Sequence, residues 1–258
     1  MEDSSKKSKI IKNAPAFLQE ILPYISPRIF DLVDIPKVAL NMGKLSYQYI
    51  FSTGITTIKD DLLSDLPRGL YFENPNGAQD SLTDLNVGEK ILELFFTQIL
   101  VGNSFFLDLR SSRFEQISDK LIWSPNGLHC KFSENFQHGL KNLYTGFFHD
   151  NDDLYKKGLE QIGLISSGDT EEMKQEIMDI FANHFGDSNQ EKVVFRMSHF
   201  TDSFHSVFDR IFEHKKKLNE DFVYLGIYLV TLYLHLEEID EPMDVRKIFN
   251  IAFKRFEK

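Results

Sequence analysis

From Phe222 to Leu236 the chain runs through fifteen residues in which only Thr231 and His235 break an otherwise apolar or aromatic sequence, with Glu220, Asp221, Glu237 and Glu238 at its two ends. A helix of that composition has no polar face to turn toward water. It also falls short of the ~20 apolar residues that a membrane-spanning helix needs. The segment from Asn219 to Glu238 therefore predicts a helix buried on all sides, and the rest of the chain must supply the elements that surround it.

Those elements are mostly helical. Gly88 to Val101 places Ile91, Leu92, Phe95, Phe96 and Ile99 on one face at three-and-four spacing. Four more helices are expected near 134–148, 150–163, 170–185 and 195–217, with Gly163 and Gly186 near two of their ends. The acidic start Asp169-Thr170-Glu171-Glu172 suits the positive end of a helix dipole. Ile248, Ile251, Ala252 and Phe256 give a short closing helix. Upstream, Pro15, Pro23, Pro27 and Pro36 cut 14–40 into brief apolar helices and turns. The stretch from Lys44 to Ile58 fits helix or strand, with an extended end at Thr53 to Ile58. Leu70 to Glu73 reads as a strand ending in the turn Asn74-Pro75-Asn76-Gly77. A hairpin is expected from Lys120-Leu121-Ile122-Trp123 through Ser124-Pro125-Asn126-Gly127 to Leu128-His129-Cys130-Lys131-Phe132. No repeat or low-complexity block is visible.

Charge and composition exclude several function classes. The net charge is −10, and the only basic clusters are Lys6 to Lys9 and Lys215 to Lys217, which argues against nucleic-acid binding. One cysteine, Cys130, allows neither an intramolecular disulfide nor a multi-cysteine zinc site and fits a reducing compartment. The N-terminus has no apolar run behind its charges, so no secretory signal is expected and the location reads as cytoplasmic. The 24 phenylalanines suit a tightly packed core.

Two short segments carry a family resemblance: the helix end Leu94-Phe95-Phe96-Thr97-Gln98-Ile99, and Ser104-Phe105-Phe106-Leu107-Asp108 ten residues after Gln98. Together they resemble the approach to the catalytic loop of the UbiB (AarF) family of kinase-like proteins, which reads Phe-Phe-His-Ala-Asp-Pro-His-Pro-Gly-Asn. Leu70 to Gly77 resembles that family's hinge strand. The hairpin at 120–132 falls where the family's metal-binding strands lie, Tyr144 to Ile165 is similar to its next helical pair, and Asp221 to Asp240 to its last buried helix. The resemblance spans about 70–258. It implies a mainly α fold with a protein-kinase C-lobe-like body at 89–258, a reduced N-terminal region and hinge-like strand at 14–88, and a disordered tail at 1–13.

The resemblance puts Asp108 in the place of the catalytic aspartate. Phosphoryl transfer needs a carboxylate to orient the acceptor and two ligands to hold Mg²⁺ on the phosphates. The family's His, Pro, His, Pro, Gly and Asn become Phe106, Leu109, Arg110, Ser111, Ser112 and Arg113, and a cation at Arg113 repels a metal. The second metal ligand, an Asp before a Gly, has no counterpart in Lys131-Phe132-Ser133-Glu134, where Glu134 is the nearest acid. The Lys-x-Gly-Gln helix and phosphate-covering loop are missing, and Lys59 is the only stand-in for the nucleotide-pairing lysine. The expectation is a pseudokinase-like regulatory or binding protein, leaning away from an enzyme, with no cofactor and no metal. The alternatives are a residual ATP-dependent phosphotransferase using Asp108 and Glu134, and a helical carrier of a quinone-like or lipid-like ligand. The partners to expect are a protein or a hydrophobic small molecule, with peripheral membrane contact and no transmembrane segment.

Other constellations read as structural. His129 and Cys130 occupy adjacent strand positions and point to opposite faces. His149-Asp150-Asn151-Asp152-Asp153 lacks the Gly and closing Glu of a calcium loop and reads as a helix N-cap. His199 and His205, six apart, fall on different helix faces. No Gly-x-Ser-x-Gly elbow is present.

Overall fold

A computed structural model describes residues 16–51, 55, 62–72, 86–101, 104–182 and 191–257. In chain order the helices are α1 Ala16–Ile21, α2 Ile29–Leu32, α3 Ile35–Phe51, α4 Val87–Val101, α5 Glu134–Phe148, α6 Asp152–Ile162, α7 Glu171–Ala182, α8 Met197–Glu213, α9 Asp221–Ile239 and α10 Val245–Phe256. The strands are β1 Leu70–Phe72, β2 Phe105–Phe106, β3 Phe114–Ile117, β4 Lys120–Trp123 and β5 His129–Cys130. The fold is mainly α with two small sheets. The N-terminal tail, the turn at 74–77 and Lys59 lie outside the described residues.

Helix α9 is the central element the apolar run requires. Every residue from Asp221 to Tyr233 is buried, as are His235 and Leu236. It is long and apolar enough to cross a membrane, but most of it is enclosed by the fold. Helix α4 lies against it, with Phe95 and Tyr228 stacked at 4.9 Å between ring centres. On its other side Phe96 meets Phe249 of α10 edge-on at 5.3 Å. Phenylalanine suits these positions because ring faces and edges fill a core without needing hydrogen-bond partners.

The one charge buried deep in α4, Glu93, is neutralised from two sides. Lys90 reaches it at 2.8 Å and Arg255 of α10 at 2.6 Å. Three helix starts carry side-chain caps. Asn86, Asn151 and Asp244 accept from backbone N–H groups three residues on, at 2.9, 3.0 and 2.9 Å, which satisfies donors a helix start leaves open. The 149–153 acidic stretch is therefore the N-cap turn of α6, and Gly163 ends that helix at φ 89°.

Helices α5 and α6 form a hairpin whose backbones touch. A Cβ added at Gly146 would stand 2.2 Å from the Tyr155 nitrogen, and one at Gly158 2.3 Å from the Leu143 nitrogen. Only glycine permits that approach.

The N-terminal helices pack on the same core rather than standing apart. Ile25 touches the face of α9 at Gly226, Leu218 donates its N–H to the Leu32 carbonyl, and Arg28 lies over the Phe212 ring and pairs with Asp209. Pro36 sits in the first turn of α3, where its missing N–H costs nothing. The stretch left open between helix and strand is helical from Ile35 to Phe51; positions 52–54 and 56–61 lie outside the described residues.

One expectation fails. The hairpin is β3–β4, Phe114–Ile117 against Lys120–Trp123, not 120–132. Its turn is the Ser118-Asp119 pair, with Ser118 at φ 57°. β4 also pairs in parallel with β1, which fills its other edge. With both edges of β4 taken, the chain bends at Asn126-Gly127, Gly127 at φ 75°, and enters a second sheet in which β5 pairs with β2. The Asn-Gly signal marked a real bend, but it joins two sheets instead of two neighbouring strands.

Candidate functional site

The segment from Phe105 to Arg113 crosses the core face of α4 and α9, and polar side chains on those helices fix its path. Gln98 accepts from the Phe106 N–H at 2.8 Å and donates to the Tyr228 hydroxyl at 2.7 Å. Thr231 donates to the Leu107 carbonyl at 2.7 Å and accepts from the Leu109 N–H at 3.2 Å. The Nδ1–H of His235 donates to the Leu109 carbonyl at 2.8 Å. Burial holds the His235 pKa below its ordinary value, against the opposing pull of that hydrogen bond and of Glu238 and Asp108. The two polar breaks in the central helix are thus the groups that carry this loop. Their spacing of four puts them on one helix face, and a polar pair at that spacing in an apolar run was the signal available in the sequence.

Asp108 is 1% exposed, and both its oxygens are engaged. Arg110 grips it with two parallel bonds, Nε to Oδ1 and Nη2 to Oδ2, both 2.8 Å. The Asn126 amide donates to Oδ2 at 2.7 Å, and Arg113 stands 3.7 Å away. The Arg110 N–H adds a longer contact at 3.3 Å. Arg110 also reaches Glu20 of α1 at 2.7 Å. The arrangement is a closed knot in which the Asp108 carboxylate faces two guanidinium groups, with Arg110 shared between Asp108 and Glu20 and Arg113 donating to Ser112 Oγ. Glu134, the other candidate acid, is exposed in the first turn of α5. Ser111 and Ser112 lie in a short 3₁₀ turn. Among the described residues no three His, Cys, Asp or Glu side chains stand close enough to hold a metal ion.

A second feature escaped the sequence reading. An open cleft of about 770 Å³ lies between α3 and the segment leading from β5 into α5, with the start of α9 at one end. Lys37, Asn41, Lys44 and Gln48 line it from α3, and His129, Cys130, Lys131 and Ser133 from the opposite wall. His129 donates from Nδ1 to the Gly127 carbonyl at 2.8 Å, so its Nε2 accepts from the Gln48 amide at 3.3 Å. That leaves Gln48 Oε1 buried with no hydrogen-bond partner. Asp221 accepts from the Ser133 N–H and hydroxyl at 3.0 and 2.6 Å, and burial raises its pKa. Burial likewise pushes the Cys130 thiol well up, which makes it a poor nucleophile. Lys37 pairs with Glu220 at 3.4 Å, whereas neither Lys44 nor Lys131 forms an ion pair with another described residue. The two lysines and the glutamine come from segments about eighty residues apart, so no local pattern announced them. His199 is exposed and His205 half-buried on α8, neither of them near this cleft's lining.

No protein-family model matches the chain, and no curated protein matches it.

Proposed function

We propose that this chain is a non-catalytic, pseudokinase-like binding protein related to the UbiB kinases. The observation that carries the reading is the closed knot at Asp108. A catalytic aspartate must keep an oxygen free for the acceptor hydroxyl, and metal ligands must face the phosphates. Here Arg110 and Asn126 occupy the oxygens, and Arg113 sits five residues on, where a kinase loop carries its metal-binding Asn.

The hairpin of this chain is β3–β4. A kinase places its second metal ligand, an Asp before a Gly, where the chain leaves this pair of strands. With β3–β4 as the hairpin, the resemblance would set that ligand at Ser124-Pro125-Asn126-Gly127, where no Asp precedes the Gly. On that alignment Asn126 would stand in place of the carboxylate, and its amide donates to Asp108. The described N-terminal residues are helices packed on the same core, with Glu20 of α1 meeting Arg110. A phosphotransferase reading needs this knot to open. A carrier reading needs an enclosed apolar cavity, whereas the cleft beside α3 is open and mixes Lys37, Lys44, Lys131, Glu220 and Asp221 with Leu45, Phe132 and Tyr224.

A thermal-shift titration with ATP, with and without Mg²⁺, tests the proposal. A ligand at 100 times its Kd raises stability by ~2.7 kcal/mol, so binding is easily seen. The expected result is no magnesium-dependent shift; a clear one overturns the assignment.

A further inference from the structure

Helix α3 is apolar on two opposite sides. Val38 and Leu45 enter the core. On the outward side Leu40, Tyr47, Ile50 and Phe51 are 64, 57, 66 and 61% exposed. At about 100° per residue these four fall within one arc facing away from the core. Tyr47 and Phe51 lie side by side, ring centres 4.6 Å apart. Scattered apolar residues on a surface are ordinary, but four large ones sharing one exposed helix face mark a contact surface.

The flank of that row is cationic. Lys37 and Lys44 lie between the apolar arc and the cleft-lining Asn41 and Gln48, and Lys131 faces them across the cleft. Helix α3 carries no acid, in a chain whose net charge is −10. A surface that combines exposed aromatic and aliphatic side chains with lysines suits a lipid–water interface, with the apolar groups in the acyl boundary and the lysines at the headgroups. An acidic protein groove would also meet the lysines. The cleft behind them favours a lipid, because it offers two ammonium groups without an ion pair to another described residue and a buried acceptor, Gln48 Oε1, in need of a donor, while its acids are engaged, Glu220 by Lys37 and Asp221 by Ser133. A phosphate bearing a hydroxyl-rich headgroup meets both requirements at once.

We propose that the outward face of α3 docks on an anionic phospholipid bilayer and that the cleft takes the phosphate and hydroxyls of one headgroup. The docking face on α3 lies outside the part of the chain that resembles the kinase-like family, the opposite wall of the cleft lies within it, and neither depends on the reading of Asp108. Docking places Leu40, Tyr47, Ile50 and Phe51 in the bilayer, Lys44 and Lys131 on the phosphate, and Gln48 Oε1 on a headgroup hydroxyl.

Co-sedimentation with vesicles of phosphatidylcholine alone, or mixed with phosphatidylglycerol, tests this. The full chain should pellet only with the phosphatidylglycerol vesicles. The double variant Lys44→Glu/Lys131→Glu should bind them at least tenfold more weakly, since each lysine at an anionic surface is worth about fivefold. Leu40→Asp/Phe51→Asp should lose binding while keeping the wild-type melting temperature, because both positions are exposed. Gln48→Leu, which removes the acceptor, should weaken binding to phosphatidylglycerol more than to phosphatidic acid, whose headgroup has no hydroxyl-bearing carbon. Four results overturn the proposal: no pelleting with either vesicle; pelleting untouched by the α3 changes or by the lysine changes; stabilisation by soluble glycerol phosphate without vesicle binding; or a dimer that Phe51→Asp dissociates while vesicles fail to bind.

Discussion

Replacing Gly158 with alanine should destabilise the protein, although alanine is the better helix former. The added methyl carbon would stand 2.3 Å from the Leu143 nitrogen, 2.6 Å from its Cα and 2.8 Å from its Cβ. Unstrained heavy-atom contacts lie near ~3.5–4.0 Å, so α6 must withdraw from α5 by about 1 Å. A gap of that size forfeits roughly a quarter to a half of the dispersion energy of each contact it opens. The withdrawal also strains the Asn142–Gln161 and Asn135–Gln161 hydrogen bonds, 2.6 and 2.8 Å long, that join the two helices. Overpacking of this kind costs about 1–3 kcal/mol and more where backbone blocks the way, while alanine returns about 1 kcal/mol of helix propensity. The net is a loss of about 2 kcal/mol. For a chain of this size that is a fall in Tm of roughly 4–8 °C.

The control is Gly43→Ala in α3, where an added Cβ meets nothing within 4 Å. The same substitution there should stabilise by up to about 1 kcal/mol. Urea midpoints for both variants, with slopes checked against the wild type, give the comparison. Opposite signs are required. If Gly158→Ala is neutral or stabilising like the control, the close approach of α5 and α6 is not what glycine serves.

Asp108→Asn should lower stability by about 2–4 kcal/mol, since it leaves two guanidinium groups at one neutral side chain and turns an amide donor toward other donors; retained stability would mean that the knot is not structural. Stability should also fall as pH drops below about 6.5, the ordinary His value. Burial depresses the His235 pKa, so the unfolded chain takes up that proton first and its contribution is full above the unfolded value and lost on acidification. Urea midpoints across this range should show a steeper decline for the wild type than for His235→Asn, and equal slopes would remove His235 from the account.

The central helix was legible because its composition left it no face for water, whichever fold enclosed it. The start of α6 was legible for a local reason, since Asn151 satisfies a backbone donor three residues away; Asn86 and Asp244 cap α4 and α10 in the same way, although the sequence reading did not single them out. Strand pairing was not. The residues from 120 to 132 contain a real strand, a real bend and a second strand, yet β4 takes β3 and β1 as neighbours and β5 takes β2. Propensity marks where a chain turns, whereas pairing depends on which edges the rest of the fold leaves open. Asp108 stood out in the sequence as a candidate catalyst. The partners that close it, Arg110 and Asn126, are neighbours only because one sits two residues on and the other is brought back after the hairpin. The cleft beside α3 lies further still from local pattern, since Lys44 and Lys131 meet across 87 positions of sequence. What a residue does alone, bury, cap or bend, is written in its own neighbourhood; what two residues do together is decided by the contacts that bring them into reach.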